Sequence, residues 1–239
     1  MFREEAGALL SLPKHPNLAS FVNFDLSARP KPILVMELIQ GQSLDRLVRN
    51  RSMSVGQVLG YLDGILAGLE AMHQVGIGHL DVKPSNVILR DDGTPALVDF
   101  GLSGRHLRPG CGTLEYCAPE VLGIAPQGQT PSPAQTDIYA FGCCAYELLS
   151  ADLMFDSDDE TALITQHVSH DGWPKKLAEF GAAPQLTELA ALIGACIRRD
   201  PRNRPSAREV RKMLRAVTGK LKSLNWPLSP TTFAEGISA

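Results

Sequence analysis

The protein has 239 residues, of which 44% are hydrophobic and 21% are charged. A chain of this length and composition can bury one sizeable core, and nothing in it indicates a separate second domain. The formal net charge of −3 excludes a general electrostatic attraction to nucleic acid or to an anionic membrane surface.

The cysteines and the apolar runs limit where such a protein works. There are five cysteines without a Cys-x-x-Cys pair, and the odd number in largely apolar settings indicates reduced thiols rather than a disulfide framework. No apolar run reaches the roughly 18 residues that a membrane span needs, and the N-terminus does not have the form of a signal peptide. We therefore expect a cytoplasmic protein without a membrane segment.

The first predicted elements are short. Residues 2–12 are predicted to form a helix that ends at the turn Pro13-Lys14-His15-Pro16-Asn17. Residues 21–26 and 33–38 are expected to pair as antiparallel strands. Ser43 is favoured as the cap of the next helix.

A long buried helix is predicted next. Ser54 and Gln57 form a capping box at its start. Apolar residues then recur at helical spacing, at Val58, Leu62, Ile65, Leu69 and Met72.

The most informative stretch, His79-Leu80-Asp81-Val82-Lys83-Pro84-Ser85-Asn86, is followed a short strand later by Asp99-Phe100-Gly101. The apolar runs 87–89 and 96–98 are predicted to pair as a hairpin. This pairing would bring Asn86 beside Asp99, and amide and carboxylate oxygens are ligands that Mg²⁺ prefers.

Two further polar residues of this stretch fit the chemistry of phosphoryl transfer. Asp81 lies five residues before Asn86 and can face an incoming hydroxyl group. Lys83 can neutralise charge on a transferring phosphoryl group. Each residue alone would be an ordinary loop residue, and their combination at this spacing favours a site.

The second half of the chain is predicted to be helical. A strongly apolar helix is expected from Thr136 to about Leu149, and another helix should end near Arg198. Ser206 and Glu209 form a second capping box, which starts the last predicted helix. From Ser223 onward the chain is rich in Pro, Ser and Thr, which predicts a flexible tail in which Trp226 could pack back on the domain.

The stretch 79–89, the turn 99–101 and the segment 102–120, which contains Gly112-Thr113 and ends in Ala118-Pro119-Glu120, resemble the catalytic loop, the metal-binding turn and the activation segment of eukaryotic-type serine/threonine protein kinases. The resemblance covers about residues 2–219. It implies an α+β, protein-kinase-like fold with a partial small lobe (1–40), a mostly helical large lobe (41–221) and a tail (222–239). It also implies transfer of phosphate from ATP, with Mg²⁺, to serine or threonine of a protein substrate.

The resemblance implies a role for each residue of the site. Asp81 matches the catalytic base, Lys83 matches the lysine on the γ-phosphate, and Thr113 matches a threonine that braces both. Asn86 and Asp99 match the magnesium ligands.

Other positions match the nucleotide contacts and the structural residues of the family. The predicted strand 33–38 matches the strand that leads into the hinge of the family. The main chain of Glu37 and Ile39 would face the adenine there, and Ile88 would also contact the nucleotide. Glu5, with Glu4 as an alternative, matches the glutamate that forms an ion pair with a strand lysine. His79 matches a residue that packs against Phe100, and Asp137 matches the acid that holds the catalytic loop. Glu120 and Arg204 match the partners of an ion pair.

One departure from the family concerns regulation. The arginine that usually precedes the catalytic aspartate is replaced by Leu80, and this arginine would bind a phosphorylated activation loop. Between Arg105 and Gly112 there is no Ser, Thr or Tyr. We therefore expect activity that does not depend on phosphorylation of the activation loop.

A second departure concerns the start of the chain, which matches the small-lobe helix of the family. In the family, a Gly-rich phosphate-binding loop and the strand lysine precede that helix. We find no Gly-x-Gly-x-x-Gly motif in the sequence. We expect weaker ATP binding and a lower rate without these parts. The simplest interpretation is that Met1 is an internal or misassigned start within a longer reading frame.

Two alternatives to a protein kinase stay open. The absence of the Gly-rich loop and the strand lysine would suit a pseudokinase or an interaction module without catalysis. A small-molecule kinase is the other alternative, because antibiotic and choline kinases share an H-x-D…N…D core. Ala118-Pro119-Glu120, Asp137 and Arg204 favour a protein substrate.

Overall fold

The computed structural model describes residues 10–25, 33–107, 110–124 and 131–230. Within these ranges, seven α-helices accompany two antiparallel strand pairs. Glu5 and the predicted helix before Leu10 lie outside the described residues, as does the second half of the predicted tail. Every helix in the described ranges is too short or too polar to cross a bilayer.

The first strand pair consists of β1 (Phe21–Asp25) and β2 (Ile33–Met36). Phe21 lies opposite Met36, with an irregularity between Phe21 and Asn23. The predicted antiparallel pairing is confirmed, although both strands end earlier than predicted. Beyond β2 the chain leaves the sheet, and the side chain of Leu38 is 83% exposed.

Two helices follow, α1 (Leu44–Arg49) and α2 (Val55–Gln74). The predicted capping box of Ser54 and Gln57 is present at the start of α2. All five residues of its predicted apolar stripe are buried. Ser43 occupies the N-cap position of α1, but its side chain makes no capping hydrogen bond.

The second strand pair is the predicted hairpin, formed by β3 (Val87–Leu89) and β4 (Pro95–Leu97). Val87 lies opposite Leu97, so β4 begins and ends one residue before its predicted position. The N–H group of Val98 still donates to the carbonyl of Asn86 at 2.9 Å. The pairing therefore continues to the residue before Asp99.

The helix α3 (Pro133–Ser150) has 13 buried residues. It begins three residues before the predicted start at Thr136, because Ser132 and Gln135 form a capping box and Pro133 suits the first turn. The remaining helices are α4 (Glu160–Val168), α5 (Lys175–Phe180), α6 (Thr187–Cys196) and α7 (Ala207–Leu221). The capping box of Ser206 and Glu209 is confirmed at the start of α7, which packs on α2.

The first part of the predicted tail differs from the expectation of a flexible segment. The indole N–H of Trp226 donates to the carbonyl of Leu148 at 2.8 Å. The N–H of Leu228 donates to the carbonyl of Leu149 at 2.8 Å, and the Leu228 side chain is buried. The two residues attach this segment to the end of α3 through apolar burial and main-chain pairing.

Candidate active site

Asp81, Lys83, Thr113 and Asn86 form one hydrogen-bonded cluster. The Asp81 carboxylate contacts Lys83 Nζ at 2.8 Å and accepts the Thr113 hydroxyl at 2.9 Å. Lys83 Nζ also donates to Thr113 Oγ1 at 2.5 Å. The amide of Asn86 donates to Asp81 Oδ2 at 2.8 Å and to the Asp81 carbonyl at 2.9 Å. The structure thus brings together four of the predicted site residues.

The cluster keeps the Asp81 carboxylate ionised. Burial raises the pKa of Asp81, but the hydrogen bonds from Lys83, Thr113 and Asn86, together with the charge of Lys83, lower it by more. The pKa therefore lies below its ordinary value. Asp81 is a charged acceptor at neutral pH.

Asn86 and Asp99 lie at the same end of the β3–β4 hairpin. Asn86 immediately precedes β3, and its carbonyl accepts the N–H of Val98, the neighbour of Asp99. Asp99 is exposed, and its backbone has a left-handed φ of 61°, a conformation that aspartate tolerates better than most residues. Its Oδ1 accepts the N–H of Gly101 at 3.2 Å.

The donor set at this end fits a magnesium ion. The Asn86 amide nitrogen is already used on Asp81, which leaves the amide oxygen to face a cation. Mg²⁺ commonly takes only one or two protein oxygen ligands and completes its shell with water and phosphate oxygens. In the described ranges no group of three or more His, Cys, Asp or Glu residues could hold a metal ion.

Asp137, at the first turns of α3, holds the backbone that leads to Asp81. Its fully buried carboxylate accepts the N–H of His79 at 2.8 Å and the N–H of Leu80 at 2.7 Å. Leu80 has a left-handed φ of 66°, which is uncommon for a leucine. The two hydrogen bonds stabilise this turn directly before Asp81.

His79 and Phe100 pack against each other in the interior. Their ring centroids are 5.3 Å apart, and the ring centroid of Phe21 lies 5.2 Å from that of Phe100. Burial lowers the pKa of the His79 imidazole despite the nearby Asp137 carboxylate, so the ring is neutral at pH 7. The contact joins the catalytic loop to the Asp-Phe-Gly turn and to β1.

The residues with an implied nucleotide contact lie in the segment 37–39 and in β3 of the hairpin. Ser43, just beyond the hinge segment 37–42, forms an isolated bridge with Ile88 of β3, and Ile39 is buried. The main-chain N–H of Glu37 is used, because it donates to the carbonyl of Ser20 at 2.8 Å. Among the described residues, no hydrogen bond is made by the main-chain N–H or carbonyl of Ile39.

Glu120 and Arg204 form a buried, bidentate ion pair. Arg204 Nη1 and Nη2 contact the Glu120 oxygens at 2.6 and 2.8 Å. Thr136 also donates to Glu120 at 2.9 Å, and the guanidinium lies 4.9 Å from the Tyr139 ring centroid. The pair joins the end of the activation segment to the chain before α7.

Sequence reasoning missed two polar residues that contact the site. His73 in α2 lies with Nε2 2.8 Å from Asp137 Oδ2, and Arg90 contacts the Glu37 carboxylate. His73 stands on the predicted buried helix at a position next to the apolar Met72. No local pattern distinguishes either residue from an ordinary surface residue.

Comparisons with known proteins agree with this arrangement. The family model for the protein kinase domain matches residues 1–214 of the chain. The chain therefore belongs to the protein kinase domain family. The resemblance drawn from the motifs and the expected fold class are both confirmed.

Three relatives illustrate the relationship. The chain is similar to the serine/threonine-protein kinase PknL of Mycobacterium tuberculosis, at 34% identity over 72% of this chain and 43% of PknL. It is similar to the serine/threonine-protein kinase pkn2 of Myxococcus xanthus, at 33% identity over 93% of this chain and 28% of that protein. Sperm motility kinase 2B of Mus musculus is 29% identical over 84% of this chain and 40% of its own length. The chain therefore spans less than half the length of these relatives.

Proposed function

We propose that the protein transfers the γ-phosphate of ATP to serine or threonine hydroxyl groups of protein substrates. The observation that carries this proposal is the cluster of Asp81, Lys83, Thr113 and Asn86, in which each side chain hydrogen-bonds directly to another. Membership of the protein kinase family and the names of the relatives support the same reaction class.

Asp81 is the group that accepts the proton of the substrate hydroxyl. A carboxylate offers about four acceptor sites, and Lys83, Thr113 and Asn86 each occupy one. One acceptor site is left for the hydroxyl group. The lowered pKa of Asp81 suits a group that orients the hydroxyl and takes its proton late in the transfer.

Lys83 and Thr113 set the geometry of that acceptor. Lys83 is fixed between Asp81 and Thr113, so its positive charge lies at the place where a phosphoryl group would meet the hydroxyl. Asn86 and Asp99 would hold a magnesium ion, which would neutralise charge on the phosphates.

The nucleotide base would lie between the hinge segment and β3. The main chain of Glu37 and Ile39 would supply polar contacts, and Ile88 would supply an apolar surface. Support comes from the free main-chain groups of Ile39 within the described residues and from the half-buried state of Ile88.

Activity of the protein does not depend on phosphorylation of the activation segment. Leu80 lines a small apolar cavity with Leu102, Leu107, Cys111 and Val121. The N–H of Gly110 donates to the carbonyl of Val121 at 2.9 Å. Apolar packing therefore holds this segment in place. In kinases with the usual arginine, a phosphate group on the segment would be needed for the same purpose.

We also propose that the protein works in the cytoplasm. Cys117, Cys143, Cys144 and Cys196 are buried as free thiols. Burial raises the pKa of each of these thiols, so none of them is readily oxidised at neutral pH.

Transfer of radiolabelled phosphate from ATP to a generic protein substrate tests the reaction. We expect the wild type to label serine or threonine, Asp81→Asn to lose almost all transfer, and the exposed loop variant Asp91→Asn to match the wild type. Equal transfer by Asp81→Asn and the wild type would contradict the role of Asp81. Binding of MgATP without any transfer would favour an interaction module, and transfer to an aminoglycoside alone would favour a small-molecule kinase.

Phosphatase treatment before the assay tests the independence from phosphorylation. The account predicts unchanged transfer, and a large loss after treatment would overturn it. Leu80→Arg supplies a second test, because it would place a charge in the apolar cavity and should lower transfer. Leu80→Met is the matched control, since it conserves volume and apolarity.

A further inference from the structure

Arg90 contacts two separate segments of the chain. It directly follows β3, and its guanidinium donates to the carbonyl of Pro16 at 3.1 Å and to the carbonyl of Leu18 at 3.2 Å. It also forms a bidentate ion pair with Glu37, in which Nη1 contacts Oε1 and Nη2 lies 3.1 Å from Oε2. One side chain thus ties the catalytic hairpin to the hinge segment and to the turn before β1.

Glu37 is held from a second side by Ser20. The Glu37 N–H donates to the Ser20 carbonyl at 2.8 Å, and Glu37 Oε2 accepts the Ser20 N–H at 3.0 Å. Hydrogen bonds from Arg90 and Ser20 lower the pKa of Glu37 to about 2. The ion pair is therefore fully charged at every pH at which a kinase works.

The hinge is attached to the hairpin at two points. Arg90 holds Glu37, and the N–H of Leu89 donates to the carbonyl of Gln42 at 3.0 Å. Ile39, with its free main-chain groups among the described residues, lies between these two attachments. The position of its main chain is consequently set by the end of β3.

The opposite end of the same hairpin carries the candidate metal ligands. Asn86 lies directly before β3, and β3 has three residues, a length of about 10 Å at the rise of an extended strand. A rigid strand pair therefore separates the hinge attachment from Asn86 and Asp99. In the proposed complex, this length would separate the parts of the site that hold the two ends of the nucleotide.

We propose that Arg90 is a positioning residue for the nucleotide, which sets the distance between the adenine-facing hinge and the metal-binding end of the hairpin. The inference rests on the proposed function, because it assigns ATP to this cleft. Arg90 acts through Glu37 and touches no reacting atom.

The geometry of the pair distinguishes it from an ordinary surface ion pair. Exposed pairs contribute little, because solvent screens them and long side chains lose entropy. Here the two side chains are only 24% and 30% exposed, and the guanidinium has two additional main-chain acceptors. The planar fork of arginine is needed for this pattern, and a lysine cannot reproduce it.

Isothermal titration of the whole chain with MgATP and with magnesium tripolyphosphate tests the inference. Arg90→Ala should weaken MgATP binding by about tenfold, equivalent to about 1.4 kcal/mol, and should leave tripolyphosphate binding within about twofold. Arg90→Lys should fall between the wild type and Arg90→Ala. A matched control is Arg215→Ala, because Arg215 of α7 also makes a bidentate pair, with Asp63 of α2 at 2.7 and 3.0 Å.

The possible results separate the inference from the proposed function. Equal MgATP affinity in Arg90→Ala and the wild type would overturn the inference alone. An equal loss for MgATP and tripolyphosphate would also overturn it, since a general loosening of the fold acts on both ligands. Failure of the wild type to bind MgATP, whether or not it binds tripolyphosphate, would overturn the proposed function and the inference with it.

Discussion

Glu120 and Arg204 are 84 positions apart in the sequence and form an ion pair in which neither side chain is exposed. Arg204 also donates to the carbonyls of Gln135, Arg198 and Arg199. The pair therefore fixes the end of the activation segment, the start of α3 and the chain before α7 relative to one another.

Removing one partner of this pair should be costly. Glu120→Ala leaves the Arg204 guanidinium buried without its carboxylate, and we expect a loss of about 3–5 kcal/mol in the free energy of unfolding. Urea denaturation measures this loss. The control is Glu188→Ala, whose exposed pair with Lys220 should contribute less than about 1 kcal/mol. Similar losses in the two variants would contradict the structural role of the buried pair.

Thr113 should control both the rate and the pH dependence of transfer. Thr113→Val removes a hydrogen bond to the charged Asp81, so we expect transfer to fall by about 10–100-fold. The pKa of Asp81 should rise, because one of the bonds that lower it is lost. The acidic limb of the pH–rate profile should therefore move to higher pH. Thr113→Ser should keep both properties, and an unshifted profile in Thr113→Val would contradict the assignment.

His167 should make the protein acid-sensitive. Burial lowers its pKa from 6.5 to about 4, so between these values the unfolded state binds a proton that the folded state does not. Stability is complete above pH 6.5 and falls as the pH decreases toward 4.

The contribution of His167 can be isolated by comparing two pH values. From pH 7 to pH 5, His167 should cost about 2 kcal/mol in the free energy of unfolding. His167→Asn removes the titrating ring, so urea denaturation should show a smaller loss for the variant over this interval. Equal losses for the variant and the wild type would refute the depressed pKa.

Gly41 and Gly60 should respond to alanine in opposite directions. A Cβ atom at Gly41 would lie 1.8 Å from the carbonyl oxygen of Leu89, so Gly41→Ala must push the hinge segment away from β3 and destabilise the protein. A Cβ atom at Gly60, within α2, would meet nothing within 4 Å. Gly60→Ala should stabilise by about 0.5–1 kcal/mol. Thermal unfolding of both variants checks the contrast, and a tolerated Gly41→Ala would contradict the close approach.

Local patterns were enough to predict the elements around the site. The hairpin that carries Asn86 and Asp99 was expected from two apolar runs and a turn, and its strand β4 is shifted by one residue. The capping boxes at Ser54 and Ser206 specify their helices within a few residues of sequence. The box at Ser132 was not predicted, and the start of α3 was placed too late as a result.

Long-range polar contacts could not be predicted in the same way. Arg90 and Glu37 are 53 positions apart, and the spacing of charges along the chain carries no information on such a contact. The pairing of Glu120 with Arg204 was anticipated only through the resemblance to a known family. Trp226 lies in a stretch rich in small and polar residues, where composition favours a tail, although its indole docks on the end of α3.

The central claim is that Asp81, Asn86 and Asp99 serve one magnesium–nucleotide site. Titration of the 239-residue chain with ATP, with and without Mg²⁺, tests it most directly. The account predicts saturable binding that requires Mg²⁺ in the wild type and is lost in Asp99→Asn, while the loop variant Asp91→Asn binds normally. Binding that is independent of Mg²⁺, or that is unchanged in Asp99→Asn, would contradict it.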